Sequence, residues 1–361
     1  MKKNILLFPK NNSEFTNELR LKVKEYFALN GKTSHGNTSI VLKSIVMILL
    51  YLIPYLIMIS GIANSIPVIL ICWILMGIGM AGTGMVLMHD ANHGSFSKNK
   101  RINVFLGKSL YLLGGFPPNW KYQHNTLHHG YTNIDGHDED IAPAGILRFS
   151  PHQPLHKIHK YQYLYAWFFY SLMTLSWVTM KDFSRLNNYR KTAAPLSNTK
   201  SYRRLMSELI ISKILYYTFL LIIPLIVIPI GWYWIAAGFL AMHLVGGLIL
   251  STIFQTAHVV PTSEYPLPDE TGHTKNNWTI HQLLTTADYS PRNKVFSWLI
   301  GGLNYQIEHH LFPNVSHVHY KKLASIVKTT AGKYNLPYHV QGSFLRAVSN
   351  HAVMLKSLGR L

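Results

Sequence analysis

The amino-acid sequence predicts an all-α membrane protein, with four transmembrane helices in two hairpins and a cytoplasmic helical cap that carries a histidine-rich metal site. Three observations favour this fold class. The chain has 361 residues, of which 48% are hydrophobic and only 14% charged; its long apolar runs come in pairs; and clusters of histidine flank those runs. Because soluble domains are usually about one quarter charged, much of this chain is expected to lie in a bilayer.

Four runs with few charges or none account for the low charged fraction. Each is close to the ~20 residues that a helix needs to cross the hydrocarbon core of a membrane. We therefore expect membrane-spanning helices at about residues 40–63, 67–88, 209–230 and 231–254. The single cysteine, Cys72, falls in the second run, so the chain forms no internal disulfide.

Positive charge is concentrated outside the two hairpins and in the long segment between them. Lys98, Arg101 and Arg185 are examples from that middle segment, whereas the turns at 64–66 and 230–231 carry no charge. The positive-inside rule then places both termini and the middle segment in the cytoplasm. The net charge of +19 fits contact with anionic lipid headgroups better than nucleic acid, since no nucleic-acid motif accompanies it.

Two shorter or more aromatic stretches, 104–116 and 163–180, are not expected to span the membrane. The first is too short. If the second crossed, the histidine cluster at residues 306–310 would lie on the opposite side of the membrane from the clusters at residues 89–93 and 124–129. This stretch is therefore expected to lie in the membrane interface. The predicted organisation is an interfacial N-terminal segment (1–36), a membrane-bound domain (37–340) and a cytoplasmic C-terminal tail (341–361).

Histidines form three clusters, which we call boxes 1, 2 and 3: His-Asp-Ala-Asn-His, His-Asn-Thr-Leu-His-His and Gln-Ile-Glu-His-His. Residues four apart share one face of an α-helix. A single His-x3-His pair has little specificity, but seven imidazoles next to a membrane indicate bound metal. Because seven exceeds the four positions of one tetrahedral site, two metal ions are expected. The predicted ligands are His89, His93, His124, His128, His129, His309 and His310.

Five further residues are candidates for the same site. His258 directly follows the last apolar run and returns to the same surface, and His281 lies in a polar setting near box 3; both are expected ligands. Gln306 stands where a histidine is expected, and it could bind through its carbonyl, bind through water or support a neighbour. Asp90 and Glu308 lie about 100° around a helix from the adjacent ligands, so we expect them to fix imidazole tautomers.

Two features have alternative explanations. His243 lies in the middle of the fourth run, where an ionisable group is often functional. A neutral histidine, hydrogen-bonded between helices, is the preferred explanation. The acidic run at 135–140 is either a solvated loop or a source of ion pairs to the segments that carry the ligands.

The wording of the boxes resembles that of the membrane-bound fatty acid desaturases. The matching motifs are His-Asp-Ala-Asn-His-Gly-Ser-Phe-Ser, Gln-His-Asn-Thr-Leu-His-His-Gly-Tyr-Thr-Asn-Ile and Asn-Tyr-Gln-Ile-Glu-His-His-Leu-Phe-Pro, and the resemblance covers about residues 40–338. Gln306 at the start of box 3 is similar to the front-end (delta-6, linoleoyl-CoA desaturase-like) type, which adds a double bond between an existing one and the carboxyl end. The resemblance implies two iron ions, held mainly by the box histidines, and an O2-dependent reaction that yields a cis alkene and water.

The resemblance also implies partners. These are a fatty acyl substrate on CoA, a carrier protein or a lipid; membrane lipids; and an electron donor such as ferredoxin or cytochrome b5 with its reductase. The sequence lacks the His-Pro-Gly-Gly motif of a fused cytochrome b5 domain, so the donor is expected to be separate, as in stand-alone members of a bacterial inner membrane.

Two alternatives stay open: a related di-iron hydroxylase of an alkyl, sterol or carotenoid chain, and a membrane metal transporter. Box 3 argues against the hydroxylase. A transporter should bury its ligands within the spans, whereas these clusters flank them.

Overall fold

The computed structural model describes residues 6–9, 13–63, 65–142, 145–192, 194–196 and 200–361, and these are mostly helical. The parts of the predicted N-terminal segment at 1–5 and 10–12 lie outside the described residues. Two short strands, Asp288–Tyr289 and Val340–Gln341, pair in parallel. The α-helices are Glu14–Leu29, Thr38–Ile59, Ile66–Thr83, His89–Asn92, Lys100–Gly107, Pro117–Trp120, His129–Tyr131, Gln162–Ser171, Met173–Ser176, Asp182–Lys191, Tyr202–Tyr217, Ile223–Val227, Trp232–His258, Trp278–Thr285, Lys294–Leu299, Gln306–Leu311, Tyr320–Lys333 and Phe344–Leu358.

Four helices in the described ranges are long and apolar enough to cross a membrane. They are span 1 (Thr38–Ile59), span 2 (Ile66–Asn92), span 3 (Tyr202–Val227) and span 4 (Trp232–His258). Their number and pairing confirm the predicted architecture. Spans 2 and 4 continue beyond the predicted ends at 88 and 254, so both carry candidate ligands on their last turns. Span 3 begins before the predicted start at 209, because the Ser201 side chain caps the helix by accepting from the backbone N–H of Arg204.

Glycines let spans 1, 2 and 4 pack closely, as small residues do in membrane helices. A Cβ atom on Gly79 of span 2 would lie 2.5 Å from the backbone nitrogen of Tyr51 in span 1. A Cβ on Gly77 would lie 2.6 Å from the carbonyl oxygen of Met242 in span 4. Span 2 is therefore held between spans 1 and 4, and its orientation fixes where box 1 emerges.

The aromatic stretch predicted to lie in the interface does not form one of the four spans. It folds as the helices Gln162–Ser171 and Met173–Ser176, followed by the π-helical segment Trp177–Lys181. Phe168 is 61% exposed, although nearby Ser171 meets span 4 so closely that a Cβ on Gly247 would lie 2.3 Å from its carbonyl oxygen. One side of the stretch thus packs on the spans and the other presents apolar side chains.

Helices outside the spans form the cap, the part of the chain that surrounds the ends of spans 2 and 4. Helix Glu14–Leu29 packs on helix Tyr320–Lys333 through a buried cluster that includes Phe15 and Leu323. The predicted tail contains helix Phe344–Leu358, whose Leu355 joins a buried cluster with residues of helix Gln162–Ser171. Both ends of the chain therefore contribute to the cap.

Two π-helical segments lie at the boxes. Gly84–Met88 directly precedes box 1, and Lys121–His128 contains most of box 2. In the second segment, the backbone N–H of His129 donates to the carbonyl of His124, five residues earlier. A π-helical turn is wider than an α-helical turn, and such turns occur often at functional sites.

Candidate metal centre

The three boxes meet where spans 2 and 4 enter the cap. Box 1 lies at the end of span 2. Most of box 2 lies on the π-helical segment Lys121–His128, and box 3 lies on helix Gln306–Leu311. All of the box histidines are buried: His89, His93, His124, His128, His129, His309 and His310. The fold therefore gathers the predicted ligands from distant parts of the chain into one region.

Four of these imidazoles form a set that we call group A, consisting of His89, His93, His124 and His309. One nitrogen from each lies within 4.8 Å of the others. The ring centroids of His89 and His309 are 4.4 Å apart, although these residues come from boxes 1 and 3. Metal–nitrogen bonds of about 2 Å place ligand nitrogens about 3–4 Å apart, so small movements would let group A hold one cation.

Three imidazoles form a second set, group B, consisting of His128, His258 and His310. Their nitrogens also lie within 4.8 Å of one another. His258 is the last residue of span 4, so this helix reaches the same region that box 1 reaches from span 2. His129 lies between the groups, because it forms a further set with His309 and His310. The arrangement can thus accommodate two adjacent metal ions.

Several ring nitrogens inside these groups have no hydrogen-bond partner. Buried polar atoms in proteins are nearly always hydrogen-bonded, so a concentration of unpaired nitrogens needs an explanation. Bound metal provides one, since a neutral imidazole binds a cation through a nitrogen lone pair. The buried Nε2 atoms without a partner are those of His89, His93, His258, His309 and His310.

Burial also favours the protonation state that metal binding requires. Loss of solvation holds the pKa of His93, His129, His309 and His310 well below the ordinary value, and neighbouring imidazoles lower it further. Burial lowers the pKa of His124 to about 3. Metal ligation needs neutral imidazole, so the residues present fit a metal centre.

The pKa of His128 differs from that of the other box histidines, because two carboxylates lie beside its ring. Its Nδ1 lies 3.0 Å from Oδ2 of Asp138 and 3.7 Å from Oδ2 of Asp140. Burial acts to lower the pKa of His128, but the negative charges of these two carboxylates outweigh it and raise the pKa to about 9. The same charges favour a metal cation at the opposite ring nitrogen. The acidic run therefore contacts the ligand-bearing segment, as one of its two explanations predicted.

Polar side chains contact the Nδ1 atoms of the two box 3 histidines. Nδ1 of His310 donates to the side-chain oxygen of Gln282 at 2.8 Å, and the hydroxyl of Thr132 donates to that oxygen at 2.9 Å. Nδ1 of His309 lies 3.1 Å from the hydroxyl of Tyr320. Contacts of this kind fix the tautomer and the ring orientation of a metal ligand. They leave Nε2 of both histidines directed into the groups.

Asp90, the second residue of box 1, lies next to the ring of His89. Its Oδ1 is 3.6 Å from Nδ1 of His89. Its Oδ2 accepts from the hydroxyl of Ser316 at 2.8 Å and lies 3.0 Å from Nδ1 of His317. Asp90 therefore connects box 1 to the turn that follows box 3.

Glu308 has different surroundings from those predicted for a residue that fixes an imidazole tautomer. The carboxylate of Glu308 accepts from the hydroxyl of Tyr338 at 3.1 Å. Burial, followed by the charge of Asp288, raises the pKa of Glu308 well above its usual range. The described contacts place no imidazole on this carboxylate. Gln306 donates to the carbonyl of Leu303, and its side-chain oxygen is buried without a partner.

His281, a predicted ligand, lies outside both groups. Its Nε2 donates to the carbonyl of Thr132 at 2.8 Å, and its ring packs edge-on against Phe8. Adjacent residues of a helix point about 100° apart, and on helix Trp278–Thr285 it is Gln282 that faces box 3. The helix that carries His281 does contact box 3, as its sequence position suggested. The geometry gives the predicted ligand role of His281 no support.

The sequence did not predict several residues that contact the boxes, and the structure decides between the two explanations of His243. Gln282, Tyr320 and His317 carry no motif, and only the folded chain brings them to the boxes. Asp138 was visible as part of an acidic run. His243 lies between spans 3 and 4 as the preferred explanation stated, with Nε2 3.1 Å from the hydroxyl of Tyr216.

Comparisons with known proteins agree with this geometry. Residues 64–342 match the family model described as fatty acid desaturase. The chain is 32% identical over 350 residues to sn-1 linoleoyl-lipid 6-desaturase of Synechocystis sp., covering 96% of both chains. It is 32% identical over 350 residues to acyl-lipid (8-3)-desaturase of Physcomitrium patens, covering 96% of this chain and 72% of that one. It is 30% identical to sn-1 linoleoyl-lipid 6-desaturase of Arthrospira platensis, covering 95% and 92%.

Proposed function

The chain belongs to the fatty acid desaturase family, and from that premise we propose that it inserts a cis double bond into an acyl chain of a membrane lipid, as a front-end enzyme. Two observations support this choice of substrate and type. The similar proteins from Synechocystis sp. and Arthrospira platensis are named as linoleoyl-lipid 6-desaturases, and Gln306 opens box 3 as in the front-end type.

The proposed cofactor is a pair of iron ions. Group A would hold one ion and group B the other, with His129 between them. The observation that carries the proposal is the pair of adjacent histidine groups with unpaired, buried Nε2 atoms. When bound, iron with dioxygen supplies the oxidising power that removes one hydrogen atom from each of two neighbouring methylenes.

The chemistry explains why a redox metal is needed. An unactivated methylene has no acidic proton, so acid and base side chains alone cannot oxidise it, and a cofactor must carry the reaction. The substrate gives up two hydrogen atoms, the donor gives two electrons, and solvent gives two protons; together these reduce dioxygen to two waters and leave the alkene.

The protein's own residues position the ligands and shield the reaction. Asp138 and Gln282 orient imidazoles of group B. The ring of Trp120 stacks on His124 with centroids 4.5 Å apart, and the ring of Phe254, on span 4, lies 5.9 Å from the same imidazole. With an acyl chain entering from the spans, these apolar rings would limit access of water. Correct placement of one C–C bond is worth several powers of ten in rate.

The chain is a membrane protein, and we propose that it lies in a bacterial inner membrane with both termini and the metal groups in the cytoplasm. The excess of positive charge outside the hairpins supports this orientation. A separate carrier, such as a ferredoxin or cytochrome b5 with its reductase, would deliver the electrons.

Expression in a host that supplies 18-carbon acyl lipids tests the proposal. We expect fatty-acid profiling to reveal a new unsaturated chain, with its double bond on the carboxyl side of an existing one. His128→Ala should abolish this product without affecting membrane insertion, whereas the exposed control His152→Ala should retain it. The purified protein should hold two irons per chain. A hydroxylated product would favour the hydroxylase, and altered metal uptake with unchanged lipids would favour the transporter.

A further inference from the structure

A lysine lies buried within span 1, close to the metal centre. Lys43 is only 7% exposed, and charged side chains inside membrane spans are costly and usually functional. In the described part of the chain, no carboxylate lies within ion-pair distance of its ammonium group. The contact that Lys43 does make is with a histidine: its Nζ lies 3.3 Å from Nε2 of His317.

This contact determines the tautomer of His317. A lysine ammonium has three N–H donors and no acceptor, so Nε2 of His317 must accept. A neutral imidazole that accepts at Nε2 carries its proton on Nδ1. Nδ1 of His317 therefore donates to the carboxylate of Asp90, whose Oδ2 is 3.0 Å away.

The carboxylate of Asp90 is consequently held in one orientation. Its Oδ2 accepts three hydrogen bonds, from the hydroxyl of Ser316 and from both the backbone N–H and Nδ1 of His317. Its Oδ1 faces Nδ1 of His89 at 3.6 Å. A continuous series of side chains thus runs from span 1, through the turn after box 3, to an imidazole of group A.

We propose that Lys43 and His317 are positioning residues for the metal centre: together they hold the Asp90 carboxylate against His89 and thereby strengthen metal binding in group A. The inference rests on the proposed function, because it assumes that group A binds metal. Nδ1 of His89 has no hydrogen-bond partner, and Oδ1 of Asp90, 3.6 Å away, is the carboxylate oxygen beside it. A carboxylate that closes such a contact fixes the ring of a histidine ligand and makes it a better donor. Here His317 fixes the Asp90 carboxylate, and Lys43, from a membrane helix, contacts His317.

The contact between Lys43 and His317 also couples span 1 to the metal centre. Span 1 contributes no histidine to either group, yet Lys43 ties it to the centre. A shift of span 1 relative to span 2 would remove the donor to His317, release the imidazole and loosen Asp90. Metal affinity in group A therefore depends on how spans 1 and 2 pack.

Cobalt(II) and iron(II) titration of the full-length protein in detergent tests the inference, with the visible absorption of bound cobalt as the signal. His317→Leu removes both bonds of the imidazole, and we expect metal affinity to fall about 10–100-fold, as is typical when such outer contacts are lost. Lys43→Met should weaken binding by a smaller factor, because Asp90 keeps its bonds from Ser316 and His317. Two conservative variants should recover binding: His317→Asn, whose amide can still donate to Asp90, and Lys43→Arg.

Matched control variants distinguish loss of the Asp90 position from a general disturbance of the fold. His319→Gln changes a histidine in the same turn that contacts the carbonyl of His35 instead of Asp90, and Lys98→Met removes an exposed lysine near the same end of span 1. Both should bind metal as the parent does. If His317→Leu and Lys43→Met also bind within twofold of the parent, the inference is wrong. If His317→Leu does not fold, the comparison of Lys43→Met with Lys43→Arg decides. If the parent binds neither metal, the proposed function fails as well.

Discussion

Nζ of Lys213 lies 2.7 Å from Oδ2 of Asp182, and both side chains are buried where span 3 meets the cap. The ammonium group also donates to the carbonyl of Trp177 at 2.9 Å, and Asn119 donates to the backbone carbonyl of Asp182 at 2.8 Å. This ion pair joins span 3 to helix Asp182–Lys191 and to the residues just before box 2.

Removing one partner of this pair should destabilise the protein strongly. Lys213→Met leaves the Asp182 carboxylate buried and uncompensated, which typically costs about 3–5 kcal/mol. The measurement is the free energy of unfolding in detergent. Lys200→Met is the control: it breaks a half-exposed pair with Glu208, and such a pair should contribute less than about 1 kcal/mol. The double variant Lys213→Met with Asp182→Leu should be more stable than Lys213→Met alone; equal or lower stability would contradict the explanation.

Asp138 should be needed for metal binding rather than only for the fold. Asp138→Asn removes the charge next to His128, and we expect affinity for metal to fall about 10–100-fold. Metal content after dialysis against a graded series of chelator concentrations measures it. Asp135→Asn, in the same acidic run, is the control, because the carboxylate of Asp135 accepts from the amide of Gln153. Equal metal content in the two variants would rule out the proposed role of Asp138.

His258 and His281 provide a direct comparison between geometry and sequence pattern. His258→Ala removes a group B nitrogen, so we expect loss of the metal in that group and loss of desaturation. His281→Gln keeps a donor for the carbonyl of Thr132 and should keep both metals. Iron analysis and product assay of both variants check this. Loss of one metal in His281→Gln, with both retained in His258→Ala, would reverse the assignment.

The stability that comes from the contact between helix Glu14–Leu29 and helix Tyr320–Lys333 should depend on pH. Bonds from Lys22, and then from Lys333 and Tyr334, lower the pKa of Glu18 from 4.5 to about 2. A lowered pKa in the folded state means that Glu18 stabilises the fold above about pH 4.5, and that this contribution is lost as the pH falls towards 2. Glu18→Gln should therefore lower Tm at pH 7 but have progressively less effect below pH 4.5. Glu25→Gln, on the same helix, should have little effect at any pH; a constant Glu18→Gln effect across pH would argue against the ionic contribution.

The sequence predicted the spans because apolar runs and their charged flanks are local signals. It could not place the start of span 3, which depends on capping by Ser201 within a polar segment. The boxes predicted most of the histidines that the fold gathers into the two groups, and the position of His258 after an apolar run added another. Gln282 and His317 could not be foreseen, because their roles depend on contacts between segments far apart in the chain. The position of His281 outside both groups could not be foreseen for a related reason: on a short helix, composition does not reveal which of two adjacent side chains faces box 3.

The π-helical geometry of Lys121–His128 has a consequence for insertions and deletions. Successive residues of a helix are rotated about its axis, by about 100° in an α-helix and by a smaller angle in the wider π-helical turn. Loss of a single residue ahead of His124 would therefore rotate the following histidines out of their present directions. Such a change would separate His124 from group A and His128 from group B at once. Substitutions between these histidines leave their directions intact. We therefore expect the length of this segment to be constrained more tightly than the identity of the amino acids that fill it.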